Sequence, residues 1–131
     1  MPVVDASVLV EYLAGGEHLV QARDRLLRRD EALWAPHLVD AEVGHVLRRA
    51  VLAGALRPST ARAALEDLAD LPLRRAAHVG LLERAWALHP NFTFYDALYV
   101  ALAERMEMPL VTLDARLAGA SGVRAVIDVV A

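Results

Sequence analysis

Residues 109–114, PLVTLD, decide how this chain folds. Leu110, Val111 and Leu113 surround a β-branched threonine with no polar alternation. A strand facing water on one side would alternate, whereas a strand covered on both faces reads as a continuous apolar run. Such strands belong to parallel sheets held between layers of helix. The run ends on a carboxylate, Asp114. The start of the chain does the same thing: in MPVVDAS (1–7), Val3 and Val4 lead directly into Asp5, and Ser7 follows. In open α/β sheets, functional groups gather beyond the C-terminal ends of strands. If these two strands are neighbours, Asp5 and Asp114 lie side by side.

Working outward, strand and helix alternate along the whole chain. Residues 2–4 predict a short strand, and SVLVEYLAGG a helix stopped by Gly15 and Gly16. Residues 17–29 carry Leu19, Val20, Ala22, Leu26 and Leu27 at helical spacing. ALWAP (32–36) is a second strand. Residues 37–54 form a long helix, and Pro58 opens another that runs to about Leu71. LRRAA (73–77) has only weak strand character. VGLLERAWALH (79–89) is helical, and so is YDALYVALAERME (95–107), which is apolar enough through Ala103 to be buried on most sides. After strand 109–113, DARLAG gives one helical turn and residues 124–130 a final strand. The expected fold is α/β: one domain over 1–131, with a parallel sheet of about four to five short strands flanked by helices on both faces.

Composition narrows the function. The chain has 131 residues, 56% of them hydrophobic, which suits a packed core. No cysteine is present, so disulfides and thiolate metal sites are excluded. All 14 basic residues are arginine, which excludes any mechanism that needs lysine. No basic leader and no long uncharged apolar stretch occur, so a soluble, cytoplasmic protein with no membrane association is expected. The net charge of −3 does not advertise a nucleic-acid binder. Setting aside four of the 17 acids leaves 13 against 14 arginines, so a chain whose acids were concentrated in one metal-filled pocket would be +1 elsewhere.

Four acids stand out. Besides Asp5 and Asp114, Glu42 flanks the apolar stripe of the helix at 37–54, and Asp96 opens the apolar helix one turn before Tyr99 and Val100. Carboxylates beside buried stripes pay a desolvation penalty unless arginine or a metal compensates. Each also has an ordinary use. Asp5 and Asp114 suit helix N-caps. TFYD (93–96) reads as a capping box with Asp in place of Glu or Gln. Glu42 suits a solvated helix face. Hard oxygen donors without cysteine favour Mg²⁺ or Mn²⁺ over softer ions.

Four stretches together resemble a known family. VVDASVLVEYL (3–13), APHLVDAEVGHVL (35–47), FTFYDALYVALAE (92–104) and PLVTLDARLA (109–118) are similar to the successive motifs of PIN-domain ribonucleases. More narrowly, they resemble the toxin subunits of VapBC-type toxin–antitoxin pairs. The resemblance covers nearly the whole chain, while the segment 55–78 matches nothing specific. It implies a PIN-like fold and metal-dependent hydrolysis of RNA phosphodiesters. It implies an acidic quartet at Asp5, Glu42, Asp96 and Asp114, with Mg²⁺ or Mn²⁺ as cofactor. Asp5 and Asp96 would be direct or water-mediated ligands, Asp114 a further ligand, and Glu42 a ligand or the base that orients water. Ser7 and Thr112 would orient carboxylates or metal waters. A small antitoxin and a second copy of the chain are the implied protein partners, with RNA as substrate. Arg48, Arg49, Arg74, Arg75 and Arg116 are candidates for phosphate contacts.

Other classes fit less well. Receiver and haloacid-dehalogenase patterns need a lysine that is missing here. G-K-[ST] and G-x-S-x-G are absent. Glu42 and His45 form a single E-x-x-H, where a di-iron bundle needs two, and the five histidines show no zinc spacing. Within the family, a stand-alone RNA-processing nuclease and a non-catalytic binding module are the alternatives. The full set of acids speaks against the second, and the lack of an added RNA-binding domain speaks against the first.

Overall fold

Strands in this chain are short, two to four residues each. In the computed structural model, which describes residues 1–28 and 31–130, they are β1 (Val3–Val4), β2 (Leu33–Pro36), β3 (Leu73–Ala76), β4 (Leu110–Thr112) and β5 (Ile127–Val129). They form one sheet in the order β3-β2-β1-β4-β5, and every pairing is parallel. The helices are α1 (Ala6–Ala14), α2 (Leu19–Leu26), α3 (Leu38–Leu52), α4 (Pro58–Asp70), α5 (Leu82–Ala87) and α6 (Phe94–Met106). Short 3₁₀ turns cover Val79–Leu81 and Ala115–Gly119.

The strand order reverses direction at β1. Right-handed crossovers step outward from β1 to β2 to β3, and then back across the sheet from β3 to β4. The helices of the outward and returning paths therefore lie on opposite faces. The packing agrees: α1 packs with α2, α3 and α4, while α6 lies against β1, β2 and β4 and carries α5 on its outside. Val3, Val4, Leu110 and Val111 at the centre are fully buried. Every residue of α6 from Ala97 to Ala103 is buried, as its apolar run predicts. No helix among the described residues is long and apolar enough to cross a membrane.

Several boundaries differ from the sequence reading. The helix expected over 17–29 begins at Leu19 and ends at Leu26, and Arg29 lies outside the described residues. The helix expected over 79–89 is a 3₁₀ turn followed by the six-residue α5. Gly80, a poor helix former, lies in that turn, and Arg105 Nη1 donates to its carbonyl at 3.1 Å. The final strand is three residues, not seven. The stretch 73–77, the weakest strand signal, forms β3 over Leu73–Ala76 at the sheet edge, where only β2 pairs with it. An edge strand needs less burial, which is why LRRA serves.

Candidate active site

Parallel register brings the ends of β1 and β4 together. Val4 lies opposite Val111, so Asp5 and Thr112 leave the sheet side by side, and the Asp5 N–H donates to the Val111 carbonyl at 3.1 Å. Thr112 Oγ1 donates to Asp5 Oδ2, and Ser7 Oγ donates to Asp5 Oδ1 at 2.5 Å. Each hydroxyl also accepts a backbone N–H from the end of β4: Leu113 to Ser7 at 3.1 Å, and Asp114 to Thr112 at 3.0 Å. A hydroxyl has one proton to give. With their acceptor sides taken by the backbone, both protons are committed to Asp5. Asp5 also caps α1, accepting the Val8 N–H at 3.3 Å. Capping and facing the cleft are thus compatible. Burial raises the Asp5 pKa above the usual carboxylate value. The bonds from Ser7, Thr112 and Val8 pull it back part of the way, and the Asp96 charge adds to the rise.

Glu42 projects from α3 toward α6, where the buried Tyr99 hydroxyl donates to its Oε1 at 2.6 Å. Its pKa is raised by desolvation, lowered by the Tyr99 bond, and raised again by the charges of Asp96 and Asp5. Tyr99 itself is pushed strongly upward, by burial and then by Glu42, so it stays a donor. Asp96 sits in the first turn of α6. Thr93 is the cap and accepts the Asp96 N–H at 3.1 Å, which is one half of the expected capping box. The Asp96 pKa is raised by burial, lowered by the Thr93 hydroxyl, raised by Asp114 and lowered by Arg116. Asp114 differs. Arg116 grips it with Nε at 3.0 Å and Nη2 at 2.7 Å, and the Arg116 N–H bonds it at 3.0 Å. Chiefly for that reason its pKa is lowered.

All four acids and Ser7 line one cleft of about 710 Å³, with Thr112 buried beneath it. Among the described residues, Asp5, Glu42 and Asp96 form no ion pair with a cation. Each is nonetheless raised by a neighbouring carboxylate. No three acid or imidazole groups among the described residues stand close enough to grip a bare ion. The donor set fits a hydrated one. Mg²⁺ commonly keeps several waters and takes only one or two carboxylates directly. The mutual repulsion of unpaired acids is what such a cation would relieve.

Tyr99, Glu11 and Tyr95 escaped the sequence reading as cleft residues. Tyr99 follows Asp96 by one helical turn, a spacing that puts both on the same face. Glu11 also lines the cleft and accepts the His18 N–H at 3.2 Å. Arg49, Tyr95 and the exposed His45 complete the rim. Of the five arginines singled out for phosphate, Arg49 alone lines the cleft. Arg75 is held by Asp40 and Arg116 by Asp114, while Arg74 lies over the Trp34 ring at 5.6 Å.

Comparison with known proteins points the same way. Residues 3–123 match the PIN domain family. Ribonuclease VapC1 of Mycobacterium tuberculosis is 50% identical over 122 residues, covering 92% of this chain and 90% of its own. Among solved structures, VapC20 of M. tuberculosis, a sarcin–ricin loop cleaving toxin, superposes with a TM-score of 0.73 at 19% identity, over 96% of this chain and 98% of that one. VapBC-5 of the same organism, a member of the VapBC family of toxin–antitoxin systems, gives 0.61 at 26% identity, with 98% of each chain covered.

Proposed function

The chain belongs to the PIN-domain family, and on that premise we propose that it is a VapC-type toxin ribonuclease that hydrolyses RNA phosphodiesters at the acidic cleft with a divalent cation. The observation that carries this is the convergence of Asp5, Glu42, Asp96 and Asp114 on one cleft, three of them without an arginine among the described residues. Asp5 and Asp96 would hold Mg²⁺ or Mn²⁺, with Asp114 as a further ligand and Glu42 as ligand or base. When bound, the cation supplies a Lewis acid for a phosphate oxygen and makes a water more acidic.

The chain's own groups do the rest. Ser7 and Thr112 fix the Asp5 carboxylate, so no rotation is needed when the site loads. Tyr99 fixes Glu42 through Oε1, which leaves Oε2 to accept a proton from water. Burial raises the affinity of Glu42 for that proton. The ion pair from Arg116 balances Asp114 until a stronger cation competes.

A small antitoxin, a homodimer and a cytoplasmic location belong to the same reading. Its support is the likeness to VapBC-5 and to Ribonuclease VapC1. Co-expression with the neighbouring small open reading frame should yield a complex, and light scattering should give twice the chain mass. The nuclease test is cleavage of RNA by the purified protein: activity with Mg²⁺ or Mn²⁺, abolished by excess EDTA. Cleavage undiminished in EDTA, with contaminating nuclease excluded, would contradict the reading.

A further inference from the structure

The two walls of the cleft carry different chemistry. On α3, Glu42, His45, Val46 and Arg49 follow the i, i+3, i+4, i+7 spacing of one helix face, and all four line the cleft. Arg49 therefore stands two turns from Glu42, about 10 Å along the helix. It is exposed, and among the described residues it pairs with no acid. The opposite wall is the start of α6. Tyr95 precedes Asp96 and is 60% exposed, whereas Tyr99, one turn on, is 2% exposed and spends its hydroxyl on Glu42. One tyrosine of this helix is thus part of the acid network, and the other offers its ring to the cleft.

We propose that Arg49 and Tyr95 position the RNA, with Arg49 holding a phosphate beside the one cut and Tyr95 stacking on an unpaired base. This rests on the reading of the cleft as a ribonuclease site. A guanidinium two turns from the acids meets a phosphate other than the one being cleaved, and it donates to that phosphate in fork geometry. An exposed ring stacks on any base whose face is free, worth about fivefold to a hundredfold in affinity. Both faces of a base inside a duplex are already stacked, so Tyr95 selects RNA whose base at that position is splayed out. His45 sits between Glu42 and Arg49 on the same face and also lines the cleft.

The test uses the full chain and a fluorescent RNA stem-loop, read in two ways: kcat and KM with Mg²⁺, and affinity by anisotropy in EDTA across a salt series. Arg49→Ala should raise KM about tenfold with kcat within about twofold, and lower the slope of log affinity against log salt by about 0.7. Arg49→Lys should restore part of the affinity. Tyr95→Ala should weaken binding about tenfold, Tyr95→Phe should bind like wild type, and the Tyr95→Ala defect should vanish on RNA made abasic at one loop position. Thermal melts confirm that each variant folds. Alanine variants that bind and cut like wild type, a loss confined to kcat, or a Tyr95→Phe defect equal to Tyr95→Ala would overturn the proposal. Wild type that binds RNA without cutting it in Mg²⁺ would refute the nuclease reading instead, while the anisotropy arm still decides on Arg49 and Tyr95.

Discussion

Acids in two regions of this molecule meet opposite surroundings. Outside the cleft, arginine answers them. Arg84 grips the nearly buried Glu104 at 2.6 Å, and the Arg124 N–H adds a bond at 2.7 Å. Burial alone would raise Glu104, but these partners outweigh it and leave its pKa below the ordinary range. Arg25, 6% exposed, ties Glu31 and Asp128 together at 2.8 Å each, and Arg75 grips Asp40 with two bonds at 2.7 and 2.8 Å. Inside the cleft, burial raises Asp5, Glu42 and Asp96, and neighbouring carboxylates add to the rise: Asp96 for Asp5, Asp96 and Asp5 for Glu42, and Asp114 for Asp96. With 14 arginines in the chain, compensation is available, and Glu104, Glu31, Asp128 and Asp40 receive it. In the cleft only Asp114 receives an arginine, Arg116.

The comparison is broken most severely by neutralising one side of it. Asp96→Asn keeps the shape and the helix-terminal chemistry of Asp96 but removes a cleft charge. RNA cleavage should fall by at least about 10²-fold. In EDTA the variant should melt a few degrees higher than wild type, because about 1 kcal/mol of screened repulsion is gone. It should also gain less from added Mg²⁺. Wild-type melting in both buffers together with intact cleavage would make Asp96 a helix residue and nothing more.

On the other side, Arg84→Ala strands the Glu104 carboxylate. Chemical denaturation should show a loss of about 3 kcal/mol, with cleavage by the folded fraction unchanged. Equal damage to activity would blur the distinction between the two regions.

A smaller effect is expected from Tyr99→Phe, which deletes only the hydroxyl that orients Glu42. Initial-rate kinetics should show a drop of about tenfold in kcat. An unchanged kcat would remove Tyr99 from the site.

The gentlest probe is pH. The folded pKa of Glu104 is depressed, so its contribution is present above the ordinary value of 4.5 and is lost as pH falls through the folded value. The folded pKa values of Asp5 and Asp96 are raised, so they act in reverse. Above their ordinary value of 3.8 they weaken the metal-free fold, and they stop doing so as pH falls through their folded values. In EDTA, melts taken from pH 7 toward pH 3 should therefore decline less in wild type than in Asp5→Asn, and more in wild type than in Glu104→Gln. Parallel curves for the three proteins would contradict both assignments.

Much of this was legible in the sequence, for reasons that can be named. Asp5 and Asp114 stand out because each follows a short apolar run directly, and both also cap the turn that comes next. Glu42 and Asp96 are visible because each interrupts an apolar helix face. Pairing partners were not legible. Arg116 as the grip on Asp114, and Arg75 as the grip on Asp40 rather than on phosphate, depend on where long side chains fold back, which spacing does not encode. Strand β3 was faint because its two arginines mask it, and both are taken up, one by Asp40 and the other over Trp34. The short α5 was misread because the apolar spacing of VGLLERAWALH fits one continuous helix and does not mark the 3₁₀ turn over Val79–Leu81.

Asp5, Glu42 and Asp96 are left without an arginine ion pair among the described residues, and under the proposed function a divalent cation takes up their charge. Calorimetric titration of Mn²⁺ into the metal-free protein at pH 7 tests it most directly, with Asp5→Asn alongside. Saturable binding to wild type, weakened at least tenfold in Asp5→Asn, is the predicted result. No measurable binding to wild type, or the same affinity in both proteins, would contradict the account.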